Sequence, residues 1–407
     1  MKKNLFYYLF AVICSVSLFA SCSDDDDDKV VNPVPQTTFN SENGLQLTYN
    51  GEPMLGKKVT FIPDAANATK ATLRLEGEFD LGAILKGNRS DAVIPTAPGV
   101  FPGTSVTILS VELSINGDQC TFSGTSETDY CTFAYEGKVT AGSMYLALTD
   151  VTLKNTSLAG TTWQPTPMKN TEDGGMDEPI HLVWISDTKA AIEIFPGHPS
   201  EIAINDLLLL ALRLPLIDGG GEEQLSVEQM LCNVLKDVTL GADGNVIATY
   251  MDAANGGIDW TKSPANLAQY VVVSDSKLKL FLNPQAIIGN VVRLAKSSRT
   301  IDLGAILQQA ITTLSPMLAD GVPLTYEKDG DTMKVYLDTD LLLPLMKGIV
   351  APLFADEDFL NMIIDAMKSD PEFGSMAGMM VPTLKLLPEI INTTTQLEVG
   401  LNLTQVK

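Results

Sequence analysis

Histidine is nearly missing from this chain of 407 residues: only His181 and His198 occur. Two histidines, with no serine or cysteine nucleophile suitably placed beside them, argue against a catalytic triad and cannot alone furnish a metal site. Cysteine is scarce as well, five in all, and no spacing reads as a zinc site. Basic residues are few: 27 Lys and Arg against 50 Asp and Glu leave a net charge of −23. Such a surface disfavours nucleic acid and anionic lipid headgroups and suits cations or neutral ligands. Long apolar runs are absent too. The runs at 5–18 and 207–212 are too short for a bilayer, and the one at 341–354 is broken by Pro344, Lys347 and Pro352. The last two therefore belong to a deep core or to the wall of an apolar cavity.

What is present begins with Lys2 and Lys3, the apolar run, and the small residues Ala20 and Ser21 before Cys22. That is the plan of a signal peptide over 1–21. A small residue lets a peptidase reach the backbone, and the thiol of Cys22 can then carry diacylglycerol. Ser23, the aspartates at 24–28, Lys29, Pro33 and Pro35 follow. This stretch repels itself and has nothing to bury, so 22–39 reads as a lipidated acidic tether. Leu18-Phe19-Ala20-Ser21-Cys22 resembles the lipobox of bacterial lipoproteins, with Phe19 where Leu is usual. The pattern of Cys, Ser and an acidic run resembles the export signal of Bacteroides-type surface lipoproteins. The resemblance implies lipidation at Cys22 and a protein held by its acyl chains in the outer membrane, facing the cell exterior. Removing Lys2 and Lys3 would take the charge to 25 − 50 = −25.

About 370 residues remain beyond the tether, more than one core usually organises. From 40 to 157 the pattern has period two: Leu109, Val111, Leu113 and Ile115 alternate with Ser110, Glu112 and Ser114, and Met144, Leu146 and Leu148 repeat the theme. This predicts an antiparallel β domain, a barrel or sandwich of about eight strands. Tyr49-Asn50-Gly51, the strand Lys58-Val59-Thr60-Phe61 and the closing run from Tyr135 to Val151 resemble the calycin-like β-barrel domain of Bacteroides lipoproteins. Cys120 and Cys131 flank a polar segment, each followed by Thr-Phe, as if opposed on a hairpin, and are disulfide candidates. Cys232 falls on the apolar side of a helix. Residues 158–179, with Pro165, Pro167 and Asp173-Gly174-Gly175, read as a linker.

Over 180–407 strands and helices alternate. Hairpins are expected from Leu182 to Ile194, from Val271 to Leu280 and from Leu324 to Tyr336, each followed by a helix. Helix starts are legible at Asn205 or Asp206, at Asp338 or Asp340, and at Ser226 with Gln229, a capping box. The expected fold class is α+β: an N-terminal antiparallel β domain, then an α+β domain of hairpin-helix units.

Motifs for chemistry are weak. Ser186-Asp187-Thr188-Lys189 and Ser274-Asp275-Ser276-Lys277 match a Ser-x-x-Lys string but fall on hairpin turns, where Lys cannot lie one helical turn beyond Ser. Gly219-Gly220-Gly221 reads as a flexible joint, and Asp329-Gly330-Asp331 and Asp243-Gly244-Asn245 as turns. Nothing points to a cofactor or a metal. Trp260, in a Gly-rich polar loop with Asp259 and Asn255, is a candidate stacking platform for a sugar. The leading expectation is a non-catalytic binding protein for a glycan or other extracellular ligand. An apolar-ligand carrier with a cavity bordered by Leu208, Leu342 or Ile363 is one alternative, and a carboxylate-dependent glycosidase is the other.

Overall fold

The alternation read at 109–113 is realised as a strand in which Leu109 and Val111 are buried while Ile108 and Ser110 face water, as a pleat requires. The computed structural model describes residues 32–78, 97–172, 174–195, 198–215, 217–218, 224–251, 259–283, 317, 319–369 and 374–407. Cys22, the signal and Asn255 lie outside these. No helix among the described residues is long and apolar enough to cross a membrane.

The N-terminal part is built from β1 (Thr37–Asn40), β2 (Leu45–Tyr49), β3 (Glu52–Pro53), β4 (Lys57–Pro63), β5 (Lys70–Gly77), β6 (Val106–Glu112), β7 (Ser114–Asn116), β8 (Gln119–Glu127), β9 (Cys131–Val139) and β10 (Met144–Leu153). They form two open sheets, β1-β4-β5-β6 and β3-β2-β10-β9-β8-β7. Among the described residues here, only the β2–β10 pair is parallel. Phe39, Phe61, Leu73 and Leu75 from the first sheet and Tyr49, Phe133, Leu146 and Leu148 from the second share one buried cluster. The result is a sandwich; neither sheet closes into a barrel. Gly137 is required here: a Cβ there would sit 2.4 Å from the ring of Phe122, its cross-strand neighbour.

The expected pairing of Cys120 with Cys131 is overturned by the register. Cys120 lies opposite Val139, whereas Cys131 follows the turn that brings Glu127 opposite Thr132. The two therefore sit at opposite ends of the hairpin, about 24 Å apart at ~3.4 Å per residue, against a bridging limit near 7 Å. No disulfide joins them. Unfolding the unreduced protein in iodoacetamide should alkylate both; a linked peptide in a non-reducing digest would contradict the register.

The rest of the chain overturns the α+β expectation. It contributes β11 (Thr161–Pro165), β12 (Lys169–Asn170), β13 (Met176–Asp177), β14 (Ile180–Ser186), β15 (Ala190–Phe195), β16 (His198–Ile202), β17 (Ile217–Asp218), β18 (Gln224–Leu225), β19 (Leu235–Leu240), β20 (Val246–Met251), β21 (Trp260–Lys262), β22 (Ala268–Ser274), β23 (Lys277–Leu282), β24 (Val322–Asp329), β25 (Thr332–Leu337) and β26 (Thr394–Gln405). Strand outweighs helix, 50% to 22%, which makes the protein predominantly β. The expected hairpins are not separate units. They are rungs of one ten-stranded sheet, β21-β20-β19-β11-β26-β25-β24-β23-β22, with β14 also paired to β26. The hairpin turns at Ser274–Lys277 and Asp329–Thr332 form as read. The one expected from Leu182 to Ile194 does not: β14 pairs with β26, more than 200 residues on, and β15 pairs with β16. Within 158–179, β11 places Trp163, fully buried, between β19 and β26.

This sheet curls until β22, at one end, meets the turn before β20, near the other. Asn245, just before β20, forms an isolated bridge with Gln269 of β22, and Tyr270 N–H donates to Gly244 O at 2.7 Å. The same corner meets the sandwich, where Tyr49 Oη donates to Asp243 O at 2.7 Å and Asn266 Nδ2 to Pro53 O at 3.1 Å.

Helices α1 (Ile204–Arg213), α2 (Val227–Val234), α3 (Thr339–Leu345), α4 (Ala351–Ala355), α5 (Glu357–Ser369) and α6 (Gly374–Asn392) complete the described elements, with a π turn at Met346–Val350 between α3 and α4. The π turn follows Pro344, which has no N–H to continue the ladder. Ser226 and Gln229 make the expected capping box, and Asp338 caps α3 by accepting from Leu341 N–H. The α1 start differs. Its cap is Ala203, and Asn205 instead accepts the Trp184 N–H at 2.9 Å. A second buried cluster joins Trp184, Leu207, Ile390, Ile391 and Leu397, with Leu208 and Leu342 packed against it.

Candidate functional site: an apolar cavity in the curled sheet

Period two decides which side chains meet inside the curl. Val238 and Leu240 of β19, Leu278 and Leu280 of β23, Met333, Val335 and Leu337 of β25, and Val399, Leu401 and Leu403 of β26 all point one way. The alternate positions, Lys277, Lys279, Lys334, Glu398 and Asn402, point the other. The inward set, with Trp163, Val246, Tyr270 and Leu324, encloses a cavity of about 330 Å³. The polar tips of its aromatic wall turn elsewhere: Trp163 Nε1 donates to Thr161 Oγ1 at 2.7 Å, and Tyr270 Oη donates to Gly241 O at 3.2 Å. Burial, reinforced by the charge of Asp243, holds the Tyr270 phenol well above its ordinary pKa, so it brings no charge to the wall. Val399 is 40% exposed and lies on the open side. From there the same face of β26 passes to Leu397, beneath the helices. The α3 N-terminus is tied to that point, since Leu397 N–H donates to Thr339 Oγ1 at 2.9 Å.

The opposite face of the sheet carries a polar cluster. Gly400 lies between His181 of β14 and Tyr336 of β25 in one cross-strand row. A Cβ at Gly400 would sit 2.0 Å from Val335 O, and its absence lets the two rings approach to 4.7 Å. His181 Nε2 is 2.9 Å from Glu398 Oε2, and Tyr336 Oη donates to Glu327 at 2.8 Å. Burial would raise the Asp338 carboxyl, but hydrogen bonds from Lys277, Thr325 and the Leu341 N–H outweigh it, and its pKa lies below the ordinary value. These groups satisfy one another around a cross-strand ladder.

The sequence-read candidates disperse. Trp260 is 43% exposed on the edge strand β21, with Asp259 exposed beside it, and neither lines the cavity. Leu208, Leu342 and Ile363 are half-buried and do not line it either. Strands, not helices, make the wall. Ser186 Oγ donates to Ile390 O while Lys189 faces Glu201, and Lys277 is engaged by Asp338. Neither Ser-x-x-Lys string thus brings its lysine to its serine. Asp243 accepts from Asn245 and Asn50, as a turn residue does. Sequence reasoning missed the cavity, whose signal was the inward set of apolar strand residues at 238–240, 278–280, 333–337 and 399–403.

Compared with known proteins, the chain matches no family model, no curated protein and no solved structure.

Proposed function

We propose that this protein binds a small apolar molecule inside the curled sheet and works as a lipid-anchored carrier at the outer face of the outer membrane. The carrying observation is the cavity itself, about 330 Å³ in volume and walled almost wholly by aliphatic and aromatic carbon. That volume falls within the range of small-molecule sites. Water gains little from a wall of this composition, and an apolar occupant removes it from solvent. With no polar group inside to hold a headgroup, the ligand is hydrocarbon-like, or its polar end stays at the open side near Val399. Trp260 lines no part of this cavity, so the carrier reading takes precedence over sugar stacking at that residue.

The neutral probe N-phenyl-1-naphthylamine tests this. The purified protein should enhance its fluorescence saturably. Leu401→Trp, which fills the cavity from β26, should weaken binding by tenfold or more, about 1.4 kcal/mol, without lowering the unfolding midpoint. Organic extraction of the purified protein should also release an apolar compound detectable by mass spectrometry. Absence of saturable binding, or equal binding by Leu401→Trp, would sink the proposal.

A further inference from the structure

The sandwich has a second concave surface, chemically opposite to the cavity. On the outer face of the sheet β3-β2-β10-β9-β8-β7, the registers align Gln46, Tyr145, Lys138, Thr121 and Ser114 in one row crossing five strands. Ser123 and Glu136 form part of the next row. These residues floor a hollow of about 750 Å³, and Glu112, at the end of β6, borders it where the chain passes between sheets. A second hollow of about 290 Å³ continues from it, and Gln46 and Tyr145 line both. Its far side carries Pro53 and Leu55, the latter 56% exposed. The combined surface is therefore an elongated trough with an aromatic ring at its waist.

Among the described residues, no protein group hydrogen-bonds the side chains of Gln46, Ser114, Thr121 or Ser123, or the phenol of Tyr145. One amide, three hydroxyls and a phenol are left to solvent in a single groove. Lys138 Nζ stands 5.9 Å from the Tyr145 ring centroid; in the larger hollow its charge is exceeded by those of Glu112 and Glu136, and Lys57, beside the smaller one, directs its Nζ to the carbonyls of Pro98 and Gly99. This excludes a polyanion and disfavours a hydrocarbon. An extended peptide added as a strand would lie beside a sheet edge, whereas the centre of this floor, β9 and β10, is paired on both sides. Neutral hydroxylated rings fit what remains: hydroxyls for the amide and hydroxyl side chains, and a sugar face for Tyr145.

We infer that this trough is a binding site for a neutral, linear oligosaccharide, separate from the apolar cavity. The test uses the full chain and a panel of linear hexasaccharides of glucose, xylose, mannose and N-acetylglucosamine, followed by titration calorimetry and saturation-transfer NMR. At least one member should bind with Kd of about 1 mM or tighter. Tyr145→Ala should weaken it about tenfold, Gln46→Ala or Thr121→Ala should weaken it measurably, and Trp260→Ala should leave it unchanged. Tyr145→Ala should keep full N-phenyl-1-naphthylamine binding, which separates this inference from the carrier reading and shows that the variant is folded. Silence across the whole panel overturns the inference, as does sugar binding indifferent to both Tyr145→Ala and Gln46→Ala. Sugar binding abolished by Trp260→Ala would move the site to β21 and overturn it equally.

Discussion

Between pH 7 and pH 10, the stability gap between the wild-type chain and a Lys57→Met variant should widen by roughly 4 kcal/mol in favour of the wild type. Lys57 opens β4 and is 3% exposed. Among the described residues no carboxylate pairs with it; its Nζ donates to Pro98 O at 2.8 Å and Gly99 O at 2.9 Å. A neutral amine has two N–H donors, and these two carbonyls take both. Burial accordingly lowers its pKa to about 7 from 10.5. Between those values the unfolded chain holds a proton that the folded chain has released, so raising the pH favours the folded state. Methionine has no such dependence. It orphans two carbonyls at about 1–3 kcal/mol each, which displaces its curve without tilting it. Urea unfolding of both proteins at pH 6, 7.5, 9 and 10 checks this. Groups common to both, the buried tyrosines among them, cancel in the difference, and parallel curves across pH 7–10 would refute the assignment.

Glu228→Gln should act in the opposite direction, raising stability by about 2 kcal/mol at pH 8 and leaving it unchanged near pH 4. Glu228 lies in the first turn of α2, where the helix dipole favours negative charge. It is nevertheless fully buried, and among the described residues neither carboxylate oxygen has a hydrogen-bond partner. Burial first, then the charge of Glu178, push its pKa up to about 7 from 4.5, against a smaller opposing effect of Arg213. Arg213 itself is taken by Glu178, with Nε donating to Oε2 at 2.9 Å. Between pH 4.5 and 7 the folded state binds more protons than the unfolded one, so the wild type loses stability as the pH rises through that window. Glutamine keeps the shape and never ionises. A gap between the two proteins that stays constant from pH 4 to pH 8 would rule this account out.

Local signals in the sequence were read correctly where the physics was local. Ser226 and Gln229 cap α2 because both partners lie within one turn. The turns at Ser274–Lys277 and Asp329–Thr332 form because the residues that reverse the chain are adjacent. Leu109, Val111 and Leu113 are buried because alternation marks one face. The errors share a cause. Period two names the apolar face of a strand and says nothing of its neighbour, so β14 was assigned to β15 when its ladder partner is β26. Cys120 and Cys131 were read as opposed because a hairpin was evident and its register was not. Trp163 fell in a segment whose prolines and glycines suggested a linker, and only neighbours at 238 and 405 make it core.

The sequence by itself determined many of the strands with their wet and dry faces, the acidic surface and two helix caps, those at Ser226 and Asp338, because each depends on residues close along the chain. The cavity was decided by tertiary structure alone. Its walls come from eight strands spread between Trp163 and Leu403, and they curve around one space where the bridge between Asn245 and Gln269 holds β22 against the turn before β20. Curvature and closure depend on pairings between distant segments, which no stretch of adjacent residues specifies.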